Sequence, residues 1–497
     1  MIKKEEFPME NKTSISESLI VKPEKENLEV NRENYFQVDF LKAVMIFLVI
    51  FDHMVYWDIK NQIGVILWER ISIPVFLVIL GFNMGRSFQK NGANTLRELY
   101  SWTYFKKKIM RYIVPFLVLY TASTLIGLIM YNFDFIAMYN TQYYPNHGII
   151  NLFTGIMVFW GPGNWFIPLL LQSIIVVPLL YKAFAKDPSL SLVACFIIEI
   201  SMQFIAFFFI GEITSWEEAH ILGALMNSVF FYISGIGLGM WFSFDYRIKS
   251  KWNNFMWILF PISLIYMIER QFFGFRFRYE GNPLFLGDYH FLIFPYSAFL
   301  FLLAMKFLPQ KSELGISRAI TLIGKSTYHI LLTQILGYGM ITAYWGTHYS
   351  IFIGFGPEKI LDMIIAWILF ISFGILWYKI DQTKDLPRRI LYYINFFIIF
   401  SSLLFLSFWS QGYWIPIPLL IIILYAIVAL IANFMMKKPL NTKVLFSWSV
   451  FLVTTYIMMI LQAVVFRSHE FSISMFFIGY SLLAAFIGTA LWYSEKL

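Results

Sequence analysis

The stretch Val38-Asp39-Phe40-Leu41-Lys42-Ala43-Val44-Met45-Ile46-Phe47-Leu48-Val49-Ile50-Phe51-Asp52-His53-Met54-Val55-Tyr56-Trp57 reads as one membrane-crossing helix. Twenty mostly apolar residues in α-helix rise about 30 Å, the thickness of a bilayer's hydrocarbon core. Lipid offers the backbone no hydrogen-bond partners, so such a segment must satisfy its own N–H and C=O groups, which a helix does. Four side chains break the run: Asp39, Lys42, Asp52 and His53.

The same reading extends along most of the 497 residues, which are 59% hydrophobic and only 14% charged. A soluble globular chain averages about 45–50% apolar and about 25% charged, so a soluble enzyme is excluded. Of the 68 charged residues, 14 lie in residues 1–37. That segment is too polar to offset chain entropy by burial and is expected to be a disordered cytoplasmic tail. It has no apolar core followed by a small-residue cleavage site, so the first hydrophobic helix is expected to be an uncleaved anchor. The one cysteine, Cys195, lies in an apolar stretch and excludes an internal disulfide and a cysteine zinc site.

Span-length apolar runs recur near 38–57, 66–85, 112–130, 164–181, 190–210, 221–243, 253–269, 289–305, 319–344, 360–378, 390–409, 416–435, 444–465 and 471–492. The expected fold is an all-α polytopic transmembrane bundle of about fourteen helices, with residues 149–160 open to a re-entrant or interfacial reading. Charge tests the count, because cytoplasmic loops concentrate Lys and Arg. With fourteen spans, 30 of the 38 basic residues fall on one side. The other side holds only Lys60, Arg70, Arg270, Arg276, Arg278, Lys359 and Arg467. Both termini are therefore expected in the cytoplasm. Three longer loops, 131–163, 270–288 and 345–359, fall on the opposite face. Residues 38–380 hold nearly all the intramembrane polar chemistry and are expected to form a ten-helix core, with 390–497 a four-helix appendage.

Ionisable groups within a span cost about 2.5–3.5 kcal/mol each on insertion scales and mark functional candidates. Lys42 and His53 are eleven residues apart, which places them on one helix face with a rise of roughly 16 Å. Asp39, three residues before Lys42, is placed to pair with it. That pair also fits simple snorkelling at the inner boundary, and a lone histidine also fits a satisfied core hydrogen bond. Asp52 projects about 100° from His53 and is not assumed to orient it, so the sequence shows no partner for the imidazole. Lys106, Lys107, Lys108 and Arg111 gather at the start of the third span, suited to several phosphates or, equally, to topogenic charge and anionic lipid. Glu199, mid-span with Gln203 one turn on, needs a partner or a proton. Gly235, Gly237 and Gly239 follow no strand, so close helix packing explains them better than a nucleotide loop.

Taken in order, these segments resemble the membrane acyltransferase 3 family. Val38 to Lys42 through His53 is similar to its opening helix, with a basic residue, ten residues and a histidine. Pro74-Val75-Phe76-Leu77-Val78-Ile79-Leu80-Gly81-Phe82 resembles its second helix, Lys106 to Pro115 its basic third-helix start, Gly163-Asn164-Trp165-Phe166 its Trp-Phe-Leu element, and Gly324-Lys325-Ser326-Thr327-Tyr328-His329-Ile330 a late helix. Lys42 stands where arginine is commoner, Leu80 where serine precedes the glycine, and Gln334 where many members have histidine. The likeness spans roughly 35–380.

The resemblance implies transfer of an acyl group, most commonly acetyl, from cytoplasmic acyl-CoA to a hydroxyl of an extracytoplasmic glycan or lipid-linked sugar. On that footing His53, Lys42 and Asp39 form the catalytic set, and Lys106, Lys107, Lys108 and Arg111 bind the donor's phosphates. Trp165, Asn164, Glu199, Tyr328, His329, Arg276 and Arg278 are expected at the substrate. His53 either removes the hydroxyl proton or forms an acyl-histidine. The expected partners are the lipid bilayer and the glycan, with no metal and no nucleic acid, and the sequence sets no oligomeric state. A flippase or transporter of a lipid-linked saccharide is the main alternative, but the chain shows no internal repeat and no paired broken helices. A glycosyltransferase using a polyprenyl-phosphate donor would place more acid than Asp58 in the loop after the first helix.

Overall fold

A computed structural model describes residues 35–55, 57–130, 163, 165–210, 225–312, 314–345 and 357–409. Each of the first eleven expected spans overlaps a helix there, the sixth and eighth only in the shorter Ile233–Phe244 and Phe294–Phe307, while the expectations for the tail, for 149–160 and for the spans at 416–435, 444–465 and 471–492 lie outside the described residues. Helix α1 is Phe36–Met54, followed by the short α2 (Trp57–Gln62) and α3 (Val65–Trp68), then α4 (Ser72–Lys90) and α5 (Leu96–Leu99). Next come α6 (Trp102–Lys108), a π-helical turn at Ile109–Ile113, and α7 (Val114–Met130). Helices α8 (Phe166–Lys186), α9 (Pro188–Ile210), α10 (Ile233–Phe244) and α11 (Met256–Phe273) lead to α12 (Phe294–Phe307), α13 (Gly315–Trp345), α14 (Pro357–Asp381) and α15 (Leu386–Trp409).

Four helical stretches are long and apolar enough to cross a membrane among the described residues: Val65–Lys90, Phe166–Lys186, Pro188–Phe208 and Lys251–Phe273. Large apolar side chains on their outer faces are open, among them Phe208, Ile175, Ile258, Ile265 and Phe273. Contiguous apolar surface of this kind is what a lipid environment covers. This is a membrane protein built of helices.

One element departs from the all-α expectation. Between α11 and α12 the chain forms a hairpin, β1 (Arg278–Tyr279) against β2 (Asn282–Pro283). Its tip, Glu280-Gly281, has φ of 49° and 84°, the two positive values that a twisted two-residue turn requires.

Without a hydrophobic drive between helices in lipid, small residues that let backbones touch fix the packing. A Cβ on Gly81 would overlap the Ile236 carbonyl, and one on Gly239 the Val78 carbonyl. Gly81 and Gly239 thus lock α10 onto α4, and the order of contacts makes the two helices parallel, while Gly235 meets Phe294 of α12 and Gly237 meets Cys195 of α9, so the series serves close packing on three sides, as the packing reading expects. Gly324 meets the Asp39 carbonyl in the same way, joining α13 to α1. Asp39 lies against Gly324, and His53 against Gln334, so α1 and α13 also run parallel. Gly374 against Ile330 and Phe370 against Gly337 make α14 antiparallel to α13.

Two further features position the site. Helix α1 starts at Phe36 rather than Val38 because its first turn is tied to the end of α12: Gln37 Nε2 donates to the Met305 and Leu308 carbonyls, and Phe36 N–H to Gln310. The Met305 carbonyl is a last-turn acceptor that α12 cannot satisfy itself, and those of Leu308 and Gln310 follow the end of the helix. Pro178 deprives the Ile174 carbonyl of its helical donor, and the Tyr104 hydroxyl supplies one at 2.8 Å. The basic helix α6 is thereby fixed to α8.

Candidate active site

Helix α1 carries two polar centres. Near its start, Lys42 Nζ lies 2.6 Å from Asp39 Oδ1, the pairing expected from their spacing. Arg111 and Tyr112 of the π-helical turn stand within electrostatic reach of Lys42. Arg111 and Lys108 both lie over the Tyr112 ring, at 5.3 and 5.6 Å from its centroid. The Tyr328 hydroxyl, from α13, donates to the Tyr112 carbonyl at 2.9 Å. A π turn is a frequent local distortion at functional sites, and here it sets Tyr112 against Tyr328 of α13 while Arg111 stays exposed over the Tyr112 ring. Lys106 and Lys107 stay outside this cluster, exposed on α6.

At the other end of α1, His53 Nδ1 lies 3.0 Å from Gln334 Nε2 of α13. The ring packs edge-on against Tyr338, with centroids 6.1 Å apart. Gly163, at φ of +93°, brings bare backbone over the imidazole: a Cβ there would lie 3.7 Å from His53 Cε1. Its neighbour Trp165 stacks on Tyr289 and packs against Tyr232. The imidazole is nearly enclosed, with 13% of its side-chain surface exposed.

Asp52, which the sequence did not assign to orient His53, anchors an ionic network beside the imidazole. Its Oδ2 is 3.9 Å from His53 Nε2, and its Oδ1 is 2.6 Å from Lys60 Nζ and 3.6 Å from Arg70. Arg70 also reaches Asp288 at 3.0 Å, and Arg270 reaches the other oxygen of Asp288 at 2.7 Å. Three of the seven cations counted on the sparsely charged side, Lys60, Arg70 and Arg270, belong to this network. Their violation of the charge pattern is the signal that could have marked it. Nothing local marked their partner Asp288, because the contact joins distant parts of the chain.

The other expected site residues are dispersed. Glu199, fully buried, accepts from the N–H and hydroxyl of Ser234 at 3.0 and 2.6 Å, tying α9 to α10. Gln203 exchanges bonds with the backbone of Leu286. His329 pairs with Asp381 of α14 at 2.6 Å, so its imidazole is directed to α14 rather than to His53. Arg276 and Arg278 are exposed, with no ion pair among the described residues, while Phe277 stacks on Tyr266. Asn164 lies outside the described residues. Among the described residues no group of three His, Cys, Asp or Glu is gathered to hold a metal ion.

A neutral imidazole, enclosed and held at one nitrogen, is suited to moving a proton, and a phenol-lined cluster of cations is suited to an anion. Apolar outer helices around these two centres define a membrane-embedded enzyme. The profile of the acyltransferase 3 family, an acyltransferase domain, matches residues 35–378, and the chain belongs to that family. It is an O-acyltransferase. No curated protein and no solved structure matches the chain.

Proposed function

We propose that the chain takes an acetyl group from acetyl-CoA on the cytoplasmic side and delivers it to a hydroxyl of a glycan or lipid-linked sugar on the other side. The observation that supports this most is the pair of centres on α1, cationic at its start and imidazole at its end, both packed on the parallel α13. Lys42, Lys108 and Arg111 hold the donor's phosphates, with Lys106 and Lys107 attracting it from the surface. His53 takes the hydroxyl proton as the oxygen attacks the thioester carbon. The C–S bond breaks, and the sulfur leaves as thiolate. Trp165, Asn164 and the exposed Arg276 and Arg278 meet the acceptor.

In this reading the protein is multi-pass with both termini in the cytoplasm. The parallel pairs α1/α13 and α4/α10 agree with it, since each joins spans expected to cross in the same direction. Vesicles from the native membrane, supplied with labelled acetyl-CoA, test the reaction: His53→Ala should accumulate normally and transfer no label. Full turnover by that variant would overturn the mechanism. Cysteine labelling at Asp134→Cys and Lys384→Cys tests sidedness, with outside access expected only at the first.

A further inference from the structure

Gln334 makes the one polar contact with the His53 ring at hydrogen-bonding distance among the described residues. Its Nε2 sits 3.0 Å from Nδ1, and its Oε1 is buried with no hydrogen-bond partner among the described residues. In this orientation the amide N–H donates to Nδ1, so a neutral ring carries its proton on Nε2. Such a ring presents no lone pair at Nε2 to an incoming hydroxyl.

We propose that Gln334 is a positioning residue whose amide reverses during turnover, donating to Nδ1 at rest and accepting from Nδ1–H when His53 acts as base. The proposal rests on the reading of His53 as the base. In the reversed orientation Oε1 faces the ring, Nδ1 keeps its proton, and Nε2 is open to take the proton of the acceptor hydroxyl. The ring is then an imidazolium, with Nδ1–H bonded to Oε1 and the new Nε2–H beside Asp52. Returning that proton to the departing thiolate restores the neutral ring.

The unpartnered Oε1 is what permits reversal. Had a neighbouring donor held it, the amide would be locked as a donor and His53 fixed in the unproductive tautomer. Instead each orientation leaves one amide atom without a partner, and the protonation of the imidazole decides between them. Among the described residues no other group facing the ring does this work. Asp52 lies toward Nε2, and its Oδ1 is held by Lys60 and approached by Arg70. On α13, Tyr338 turns its hydroxyl to the Ile50 carbonyl, while Leu331 is apolar. Gly163 contributes only backbone. A glutamine is suited because its amide can give or take a hydrogen bond, where a carboxylate only takes one.

The test uses the full chain in native-membrane vesicles, reading release of CoA thiol from acetyl-CoA against pH. Gln334→Leu should lose roughly 10- to 100-fold in kcat with the KM for acetyl-CoA unchanged, because a hydrogen bond to a charged ring is lost only after proton uptake. Gln334→Glu, an acceptor in both orientations, should retain kcat at high pH. Its carboxylate favours the imidazolium, so its acid limb should move up by about one pH unit or more. Gln334→His, which can donate or accept by changing tautomer, should stay within a few-fold of the wild type. These shifts separate positioning from a merely structural role, which would change the amount of folded protein but not the pH limb. If Gln334→Leu fails to accumulate, the glutamate and histidine variants carry the test. Wild-type kcat in Gln334→Leu, or an unmoved acid limb in Gln334→Glu, overturns the proposal while inactivity of His53→Ala leaves the base intact. Turnover by His53→Ala would instead remove the reading beneath it.

Discussion

Burial, not the number of cations, should decide which basic residues matter for the donor. Lys42 is 14% exposed and Lys106 and Lys107 are open to solvent, so the same unit charge acts through different surroundings. Unit charges 4 Å apart interact by about 4 kcal/mol at an effective dielectric near 20, against about 1 kcal/mol in water. Asp39, 2.6 Å from Lys42 Nζ, already answers part of the lysine's charge. Halving the buried figure leaves about 2 kcal/mol toward a phosphate, which is roughly 30-fold in affinity. Lys42→Met should therefore raise the KM for acetyl-CoA about 30-fold. The double variant Asp39→Asn/Lys42→Met should show the same KM without the penalty of a stranded carboxylate. Neutralising Lys106 and Lys107 together should raise KM by less than about fivefold, and about 0.5 M salt should erase the difference. The assay is initial-rate transfer from labelled acetyl-CoA in inside-out vesicles at two ionic strengths. A larger, salt-resistant effect from Lys106 and Lys107 than from Lys42 would refute the reasoning and move the donor site to the surface of α6.

Two further outcomes test the fold. Gly239→Ala should sharply reduce the yield and thermal stability of protein extracted in detergent, because its Cβ would overlap the Val78 carbonyl, whereas Gly315→Ala, with open space around it, should be tolerated. In the loop after α10, hydrogen bonds from Arg247, opposed by partial burial and aided by Ser250, hold the Asp245 carboxyl down at about 2. A depressed folded value stabilises the protein above the unfolded pKa near 4, and that contribution is lost as pH falls through about 2. Asp245→Asn should therefore melt lower than the wild type at neutral pH, and the two curves should converge as pH is taken from about 4 to about 2.

What the sequence disclosed follows from the range of the interactions involved. Apolar length is a local property, so the helices behind the first eleven expected spans could be read off directly, although four helical stretches among the described residues have the length and apolarity to cross a membrane and the expected 221–243 and 289–305 shorten to Ile233–Phe244 and Phe294–Phe307. The Asp39–Lys42 pair was legible because a helix fixes the spacing of residues three apart. Close packing at Gly235 to Gly239 was legible because a membrane helix rarely needs three glycines for anything else. The partners of His53, Glu199 and His329 were not, because Gln334, Ser234 and Asp381 reach them from other helices. Nor was the hairpin, since two residues per strand leave too short an alternation to detect. The ionic network was not read: its cations were counted on the sparsely charged side without being linked, and only the fold supplied Asp288 as the anion between Arg70 and Arg270.

On the proposed function, helix α1 is the element that links the donor and acceptor halves of the site. Eleven residues of α-helix separate Lys42 from His53, a rise of roughly 16 Å that a helix cannot shorten without breaking its hydrogen bonds. The contact of Gly324 with the Asp39 carbonyl at one end and the Gln334–His53 bond at the other tie that length of α1 to α13. Both centres ride on α1, so no sliding of α1 past α13 would shorten the distance between them. The gap is therefore spanned more readily by the donor than by the protein, provided that the donor is extended, with its charge at one end and its reactive carbonyl at the other. An acyl-CoA has that shape, with anionic phosphates separated from the thioester by a flexible arm. A compact activated acyl donor with its charge beside its carbonyl would reach only one centre. On that proposal the separation along α1 favours an extended donor before any contact with its acyl chain is considered.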